Sequence, residues 1–138
     1  MTINHFKLYA RGIIFNADKA LLLIRKNEQQ KIGPGRWMTP GGTIEHGETP
    51  ANALKRELLE EVNFRSTKLT EVGTETRILG NTHWLGVIFI AEGDVSGVKN
   101  NEPEKHSEMK WVRICDLPSY IIEKDFIDLV ERLICSDS

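Results

Sequence analysis

Apolar positions change their period along the chain. Phe6, Leu8, Ala10 and Ile14 alternate with polar neighbours, and after Asn16-Ala17-Asp18 a second apolar run, Ala20 to Ile24, ends in Arg25-Lys26. Two period-two runs around a polar tripeptide predict a β-hairpin. Residues 27–36 are polar and contain Gly33-Pro34-Gly35, a loop by composition. They deliver the chain to Trp37-Met38-Thr39-Pro40-Gly41-Gly42, which reads as a short strand running into a tight turn. Thr49 then sets a capping hydroxyl before Pro50, and Ala51 to Val62 holds good helix formers with no breaker. This predicts a helix.

Beyond the helix, Lys68 to Leu79 and Trp84 to Ala91 are rich in Thr, Val, Ile and aromatic residues. The second run is apolar on both faces, as a central strand would be. A polar loop from Gly93 to Lys105, a short strand from Met109 to Ile114 and a stop at Leu117-Pro118 follow. Phe126, Ile127, Val130, Leu133 and Ile134 recur at helical spacing, predicting a C-terminal amphipathic helix packed on the sheet. The order of elements gives an α/β (α+β) class, and 138 residues without repeat, low-complexity tract or linker read as a single domain, 1–138.

Composition narrows the function. With 40% hydrophobic and 28% charged residues the chain is expected to be soluble and globular. Its longest apolar runs fall far short of a membrane span, and residues 1–10 lack a signal peptide's apolar stretch, so the expected compartment is the cytoplasm. Cys115 and Cys135 then read as two small, partly buried thiols. A net charge of −2 argues against capture of a nucleic-acid duplex. The charge is uneven: residues 1–40 carry +5 and the remaining 98 carry −7. Such a division suits either solvated surface or a site where cations and carboxylate-held metal meet a polyanion.

The acidic part has one local concentration of chemistry. On a helix, Glu57, Glu60 and Glu61 share an edge beside the core stripe of Ala51, Leu54, Leu58 and Val62, with Ala53 leaving room on that edge. Like charges at these spacings destabilise a helix by a few tenths of a kcal/mol per pair, so the edge calls for a cation, and Mg²⁺ suits oxygen ligands and phosphate bridging. A solvated acidic face is the alternative, and the residues before the helix decide against it. From Gly42 the chain reads Gly, five residues, Glu48, seven residues, Arg56-Glu57-Leu58, one residue, Glu60-Glu61, one residue, Asn63-Phe64. This resembles the Nudix box, here residues 42–64, with Asn63 in place of the family's closing glycine. Asn is the next most tolerant residue of the left-handed turn that ends a helix.

The resemblance implies the Nudix fold, a mixed central sheet sandwiched between helices, and hydrolysis of pyrophosphate bonds. It implies that Glu57, Glu60, Glu61 and the Gly41 carbonyl hold Mg²⁺, with Mn²⁺ as a substitute, and that Glu48 and Arg56 support them. Glu57 is the candidate base and Glu108 its rival. Arg25 sits where relatives often set a cation on phosphates, and Glu104, like Glu108, where they supply a further carboxylate. Arg36, Trp37 and Trp84 are candidate substrate contacts, the tryptophans being either base-stacking or core residues. His46, His83 and His106 read as ordinary surface or loop histidines. The marks that relatives specific for ADP-ribose or dinucleoside polyphosphates carry past the box are missing at Leu79-Gly80 and Gly80-Asn81-Thr82. The chain is thus similar to the MutT-type nucleoside triphosphate pyrophosphohydrolases. Hydrolysis of nucleoside-diphosphate-X conjugates (ADP-ribose, sugar nucleotides, dinucleoside polyphosphates) is the alternative, and a non-catalytic nucleotide-binding module a lesser one. The expected partner is a small nucleotide, with no nucleic-acid duplex and no membrane, and the chain is expected to be a monomer or homodimer.

Overall fold

The computed structural model describes residues 5–29, 34–121 and 123–135. Its contacts fall into two compact units, one from the chain up to Ile14 with Thr39–Asn101, the other from Phe15–Met38 with the chain from Glu102 onward. Residues 30–33 of the predicted loop lie outside the described residues.

The first unit holds a mixed sheet. Strands β1 (His5–Ile13), β4 (Gly41–Thr43), β5 (Ser66–Leu79) and β6 (Thr82–Gly93) lie in the order β4-β1-β6-β5. β1 runs antiparallel to β4 and parallel to β6, and β5 and β6 form an antiparallel hairpin. The hairpin turns at Gly80, whose φ of 58° suits glycine. As its two-sided apolar pattern required, β6 is interior.

Helix α1 (Pro50–Val62) forms as predicted. Thr49 Oγ1 accepts the Asn52 N–H at 3.1 Å, and Pro50 occupies the first turn, where its missing N–H costs nothing. At the far end Asn63 is left-handed (φ 55°, ψ 37°), its N–H and that of Phe64 both returning to the Leu58 carbonyl. Asn63 therefore does the work of the missing glycine. Its Nδ2 also donates to the Gly97 carbonyl at 3.0 Å. The buried stripe is Ala53, Leu54, Leu58, Glu61 and Val62, so Ala53 rather than Ala51 belongs to the core. Leu54 and Leu58 lie against β1 at Gly12, where an added Cβ would already touch them at 3.5 and 3.4 Å.

The second unit is an antiparallel sheet, β3-β2-β7, of β3 (Trp37–Met38), β2 (Leu21–Lys26) and β7 (His106–Val112). Leu21 to Ile24 of the central strand β2 are all buried, so both of its faces are covered there. A short 3-10 helix (Ile114–Ser119) and α2 (Lys124–Cys135) follow, and α2 buries Phe126, Ile127 and Val130.

Several expectations change. The turn at Asn16 forms, with Asn16 Oδ1 accepting the Asp18 and Ala20 N–H groups, but it closes a single bridge, Phe15 to Leu21. No hairpin extends from it because both edges of β1 are taken by β4 and β6. Trp37–Gly42 is two strands in different sheets, parted at Thr39-Pro40. Ile114 begins the 3-10 helix, and Pro118 lies inside it. Phe6 and Leu8 are exposed, both cysteines are exposed rather than partly buried, and His106 is buried.

Candidate active site

The carboxylate edge of α1 is organised around Arg56. Its Nε and Nη2 grip Glu48 in a fork, each at 2.9 Å; its Nη1 donates to Glu57 at 2.8 Å and Glu60 at 3.4 Å; and Nη2 also donates to the Thr43 carbonyl at 3.2 Å. All five guanidinium N–H groups are thus matched by partners, with the Glu45 carboxylate 3.9 Å from Nη2. Glu48 is fixed in turn by the Glu45 N–H at 2.8 Å. These bonds hold the Glu48 carboxyl down near a pKa of about 2, its hydrogen bonds from Arg56 contributing most, and raise the guanidinium well above its ordinary value.

Two adjacent glycines make the approach possible. A Cβ on Gly41 would lie 2.2 Å from the Ala10 carbonyl oxygen, and one on Gly42 would lie 2.4 Å from the Glu57 carboxyl carbon. Without side chains there, β4 can pair with β1 while the Glu57 carboxylate fills the space over Gly42. The Gly41 N–H donates to Glu61 Oε1 at 2.8 Å, tying the buried Glu61 to the turn. Glu57 is half-buried, and its pKa is raised, first by desolvation and then by the Glu61 charge.

The predicted residues Gly41, Glu48, Arg56, Glu57, Glu60 and Glu61 therefore converge in the first unit. Trp84 belongs to the same unit but not to this cluster. In the strand register Arg11 faces Gly41 and Lys7 faces Trp84, four residues or about 13 Å along β1. Trp84 meets the Tyr9 ring edge-on at 5.9 Å and lies under the Lys7 ammonium at 5.5 Å.

In the second unit, Arg25 stands opposite Glu108 in the β2–β7 register, Nη1 3.1 Å from its carboxylate, and Arg25 Nε donates to the Gly35 carbonyl at 3.1 Å. Arg36 is ion-paired to Glu123. Trp37 packs edge-to-face on Tyr120 at 5.3 Å, and the Lys110 ammonium lies 5.5 Å from the Trp37 ring and 5.6 Å from the Tyr120 ring. Gly35, Arg36, Trp37, Tyr120 and Glu123 line a pocket of about 200 Å³. Glu104 is exposed, and its carbonyl accepts the Asn27 Nδ2. Tyr120, Glu123 and the Thr43 carbonyl went unnoticed in the sequence. Tyr120 and Glu123 are ordinary residues between two elements, and a carbonyl leaves no side-chain signal.

The family model for the NUDIX domain matches residues 5–131. The chain belongs to the Nudix family. Among Nudix relatives it is 31% identical over 114 residues to the nucleoside triphosphatase NudI of Escherichia coli, covering 75% of this chain and 79% of that one. It is 27% identical over 113 residues to the mouse oxidized purine nucleoside triphosphate hydrolase, covering 81% and 69%. A third match, mouse 8-oxo-dGDP phosphatase NUDT18, is 26% identical over 87% of this chain, which spans only 36% of that protein's length. The MutT protein of Methanosarcina mazei superposes with a TM-score of 0.82 at 22% identity, covering 100% of this chain and 99% of that one. A Caenorhabditis elegans Ap4A hydrolase superposes at 0.76 with 20% identity, covering 94% and 96%. The mixed sheet with helices is accordingly the Nudix fold. No helix among the described residues is long and apolar enough to cross a membrane.

Proposed function

We propose that this Nudix hydrolase converts a nucleoside triphosphate and water to the nucleoside monophosphate and pyrophosphate in a metal-dependent reaction. The observation that carries this reading is the charge balance on the α1 edge, where one guanidinium serves Glu48, Glu57 and Glu60 while Glu61 raises the Glu57 pKa from nearby. So many carboxylates around one saturated cation fit a hard divalent ion, with Glu57, Glu60, Glu61 and the Gly41 carbonyl as holders. When bound, Mg²⁺, or Mn²⁺ in its place, supplies Lewis acidity at the phosphate oxygens and a nucleophilic water at neutral pH.

The protein's own residues do the rest. Arg56 and Glu48 are positioning residues that lock the carboxylates on one edge. Glu57, whose carboxylate lies over Gly42, is the base that takes the proton from water. Glu108, held by Arg25, is the second carboxylate considered for that role. Arg25 serves the terminal phosphates, Arg36 and Trp37 serve the base, and Trp84 and Glu104 are further substrate contacts. The pocket at Trp37, walled by an edge-to-face aromatic pair with Arg36 and Glu123 beside it, suits a planar ring. The names of the NudI and oxidized-purine relatives, which align with most of this chain, support the choice of triphosphates.

Water attacks the β-phosphorus and the monophosphate leaves, so label from heavy-oxygen water should appear in pyrophosphate. A screen of nucleoside triphosphates, ADP-ribose, sugar nucleotides and dinucleoside polyphosphates, with and without Mg²⁺, tests the proposal. The highest kcat/KM is expected for a triphosphate. Orthophosphate release, or preference for a conjugate, would replace it with the diphosphate-X reading.

A further inference from the structure

Helix α1 ends under two burdens. Its last turn carries Glu60 and Glu61 and no basic residue, so carboxylates stand where the helix dipole is already negative. The last four carbonyls of a helix, here those of residues 59–62, also lack partners within it. Donors from outside meet both needs, and they come from the loop after β6. The Lys99 N–H donates to the Val62 carbonyl at 3.0 Å, and the Asn101 N–H to the Glu61 carbonyl at 2.9 Å. Asn101 Nδ2 donates to the Leu59 carbonyl at 3.3 Å. In the other direction Asn63 Nδ2 donates to the Gly97 carbonyl, so loop and helix end are tied both ways. The loop is itself braced: the Asp94 carboxylate accepts the Ser96 N–H at 2.9 Å, and the Val98 N–H returns to the Val95 carbonyl at 3.2 Å.

We propose that Asn101 is a positioning residue for the divalent ion. The inference rests on the reading above, in which Glu60, Glu61 and the Gly41 carbonyl are among the groups that hold that ion. Glu61 is fixed at two points, its carboxylate by the Gly41 N–H at 2.8 Å and its carbonyl by the Asn101 N–H. Asn101 is therefore the backbone half of the link that sets Glu61 against Gly41. Its side chain adds a second bond at Leu59, and two bonds orient the turn where one would leave a pivot. The turn needs that restraint because Glu57, Glu60 and Glu61 repel one another along the same edge. Groups that hold a metal must keep their places within about 0.5 Å, which a fraying turn does not do. Asn101 acts through the helix and is not itself a ligand.

Mn²⁺ binding to the purified full chain, followed by loss of the free ion's electron paramagnetic resonance signal, tests this without turnover. Asn101→Pro removes both the N–H to Glu61 and the side-chain amide, and is expected to weaken Mn²⁺ binding about tenfold or more, the scale of losing a group that orients a metal ligand. Asn101→Ala keeps the backbone donor and should weaken binding about threefold, as one modest hydrogen bond is worth. The side chain is exposed, so the alanine variant should keep its circular dichroism spectrum and decides the matter if the proline variant does not fold. As a control, Val130→Ala truncates the core under α2, lowers the melting temperature and should leave Mn²⁺ binding unchanged. A folded Asn101→Ala protein that binds Mn²⁺ as the parent does would overturn the proposal and leave the metal reading in place. Equal weakening by Val130→Ala would overturn it too, by making the effect one of general stability. A parent that binds no Mn²⁺ would overturn both the proposal and the metal reading.

Discussion

Two charged clusters in the first unit are built on opposite plans. On α1, Arg56 is one cation serving Glu48, Glu57 and Glu60, with Glu45 close by. On the sheet, Glu75 is one carboxylate serving two arginines and a phenol. Arg11 Nη2 lies 2.7 Å away, Arg77 Nη2 lies 3.9 Å away, and the Tyr9 hydroxyl donates to it. The Tyr9 pKa is pushed far up, by burial first and by this bond second, so the hydroxyl keeps its proton. The sheet cluster carries one surplus positive charge, Arg11 and Arg77 against Glu75. The helix cluster carries surplus negative charge at a place where burial makes that surplus costly. A surplus of carboxylates is what a cation from outside would complete, so the sign of the surplus sets the α1 edge apart from the sheet cluster more sharply than charge density does.

The largest effect should come from breaking the helix cluster. Glu57→Gln or Glu61→Gln is expected to lower kcat a hundredfold or more, the scale of losing a group that stabilises charge in the transition state, while leaving the protein folded. Steady-state kinetics with added Mg²⁺, beside a circular dichroism melt, measure both. Full activity of both variants would place the chemistry elsewhere.

Breaking the sheet cluster should have the reverse outcome. Glu75→Gln leaves the buried Arg11 facing an amide instead of a charge, and is expected to cost about 2 to 3 kcal/mol of stability. The midpoint of urea unfolding reports it. Turnover at saturating substrate should change less than tenfold, because the cluster supports the sheet and not the reacting atoms. A hundredfold loss of kcat without loss of stability would make Glu75 part of the site.

The contrast also explains what could be read from the chain and what could not. The α1 edge was legible because its carboxylates lie within one turn of each other, and because cap, proline and closing Asn63 are all local signals. The Glu75 cluster was not, since Tyr9 and Glu75 stand 66 positions apart and meet only when β1 and β5 flank β6 across Gly86. An alternation did exist, Lys7, Tyr9 and Arg11 along one strand and Glu75 and Arg77 along another, but nothing local says which strands become neighbours. The failed hairpin has the same cause: the turn at Asn16 was readable, while the strands that claim both edges of β1 come from 41–43 and 82–93. The Nudix resemblance supplied the fold class and could not supply these contacts.

A smaller effect tests how the α1 edge is terminated. Asn63 is left-handed, so Asn63→Gly should be neutral or slightly stabilising, while Asn63→Val should cost on the order of 1 kcal/mol because a β-branched side chain clashes in that conformation. Thermal melts compare the three proteins. Equal stability of the Val variant would mean that the helix end relaxes freely.

The smallest effect is in the pH dependence, and it has opposite signs within the one cluster. The Glu48 pKa falls from 4.5 to about 2, so its pairing with Arg56 stabilises the fold above 4.5 and is lost as the pH drops toward 2. The Glu57 pKa is raised, so its ionisation opposes folding near neutrality, and protonation on acidification relieves that opposition. In metal-free buffer at pH 7, Glu48→Gln should therefore melt slightly below the parent, and the gap should close by about pH 2. Glu57→Gln should melt at or above the parent at pH 7, with its advantage fading as acid protonates the parent's carboxyl. Added Mg²⁺ should reverse the second ranking by stabilising the parent alone, since ligand binding to the folded state raises its melting temperature. A Glu57→Gln variant that melts below the parent without metal would show that Glu57 is held by its bond to Arg56 more than it is strained by burial, and the helix cluster would then need no cation from outside to settle it.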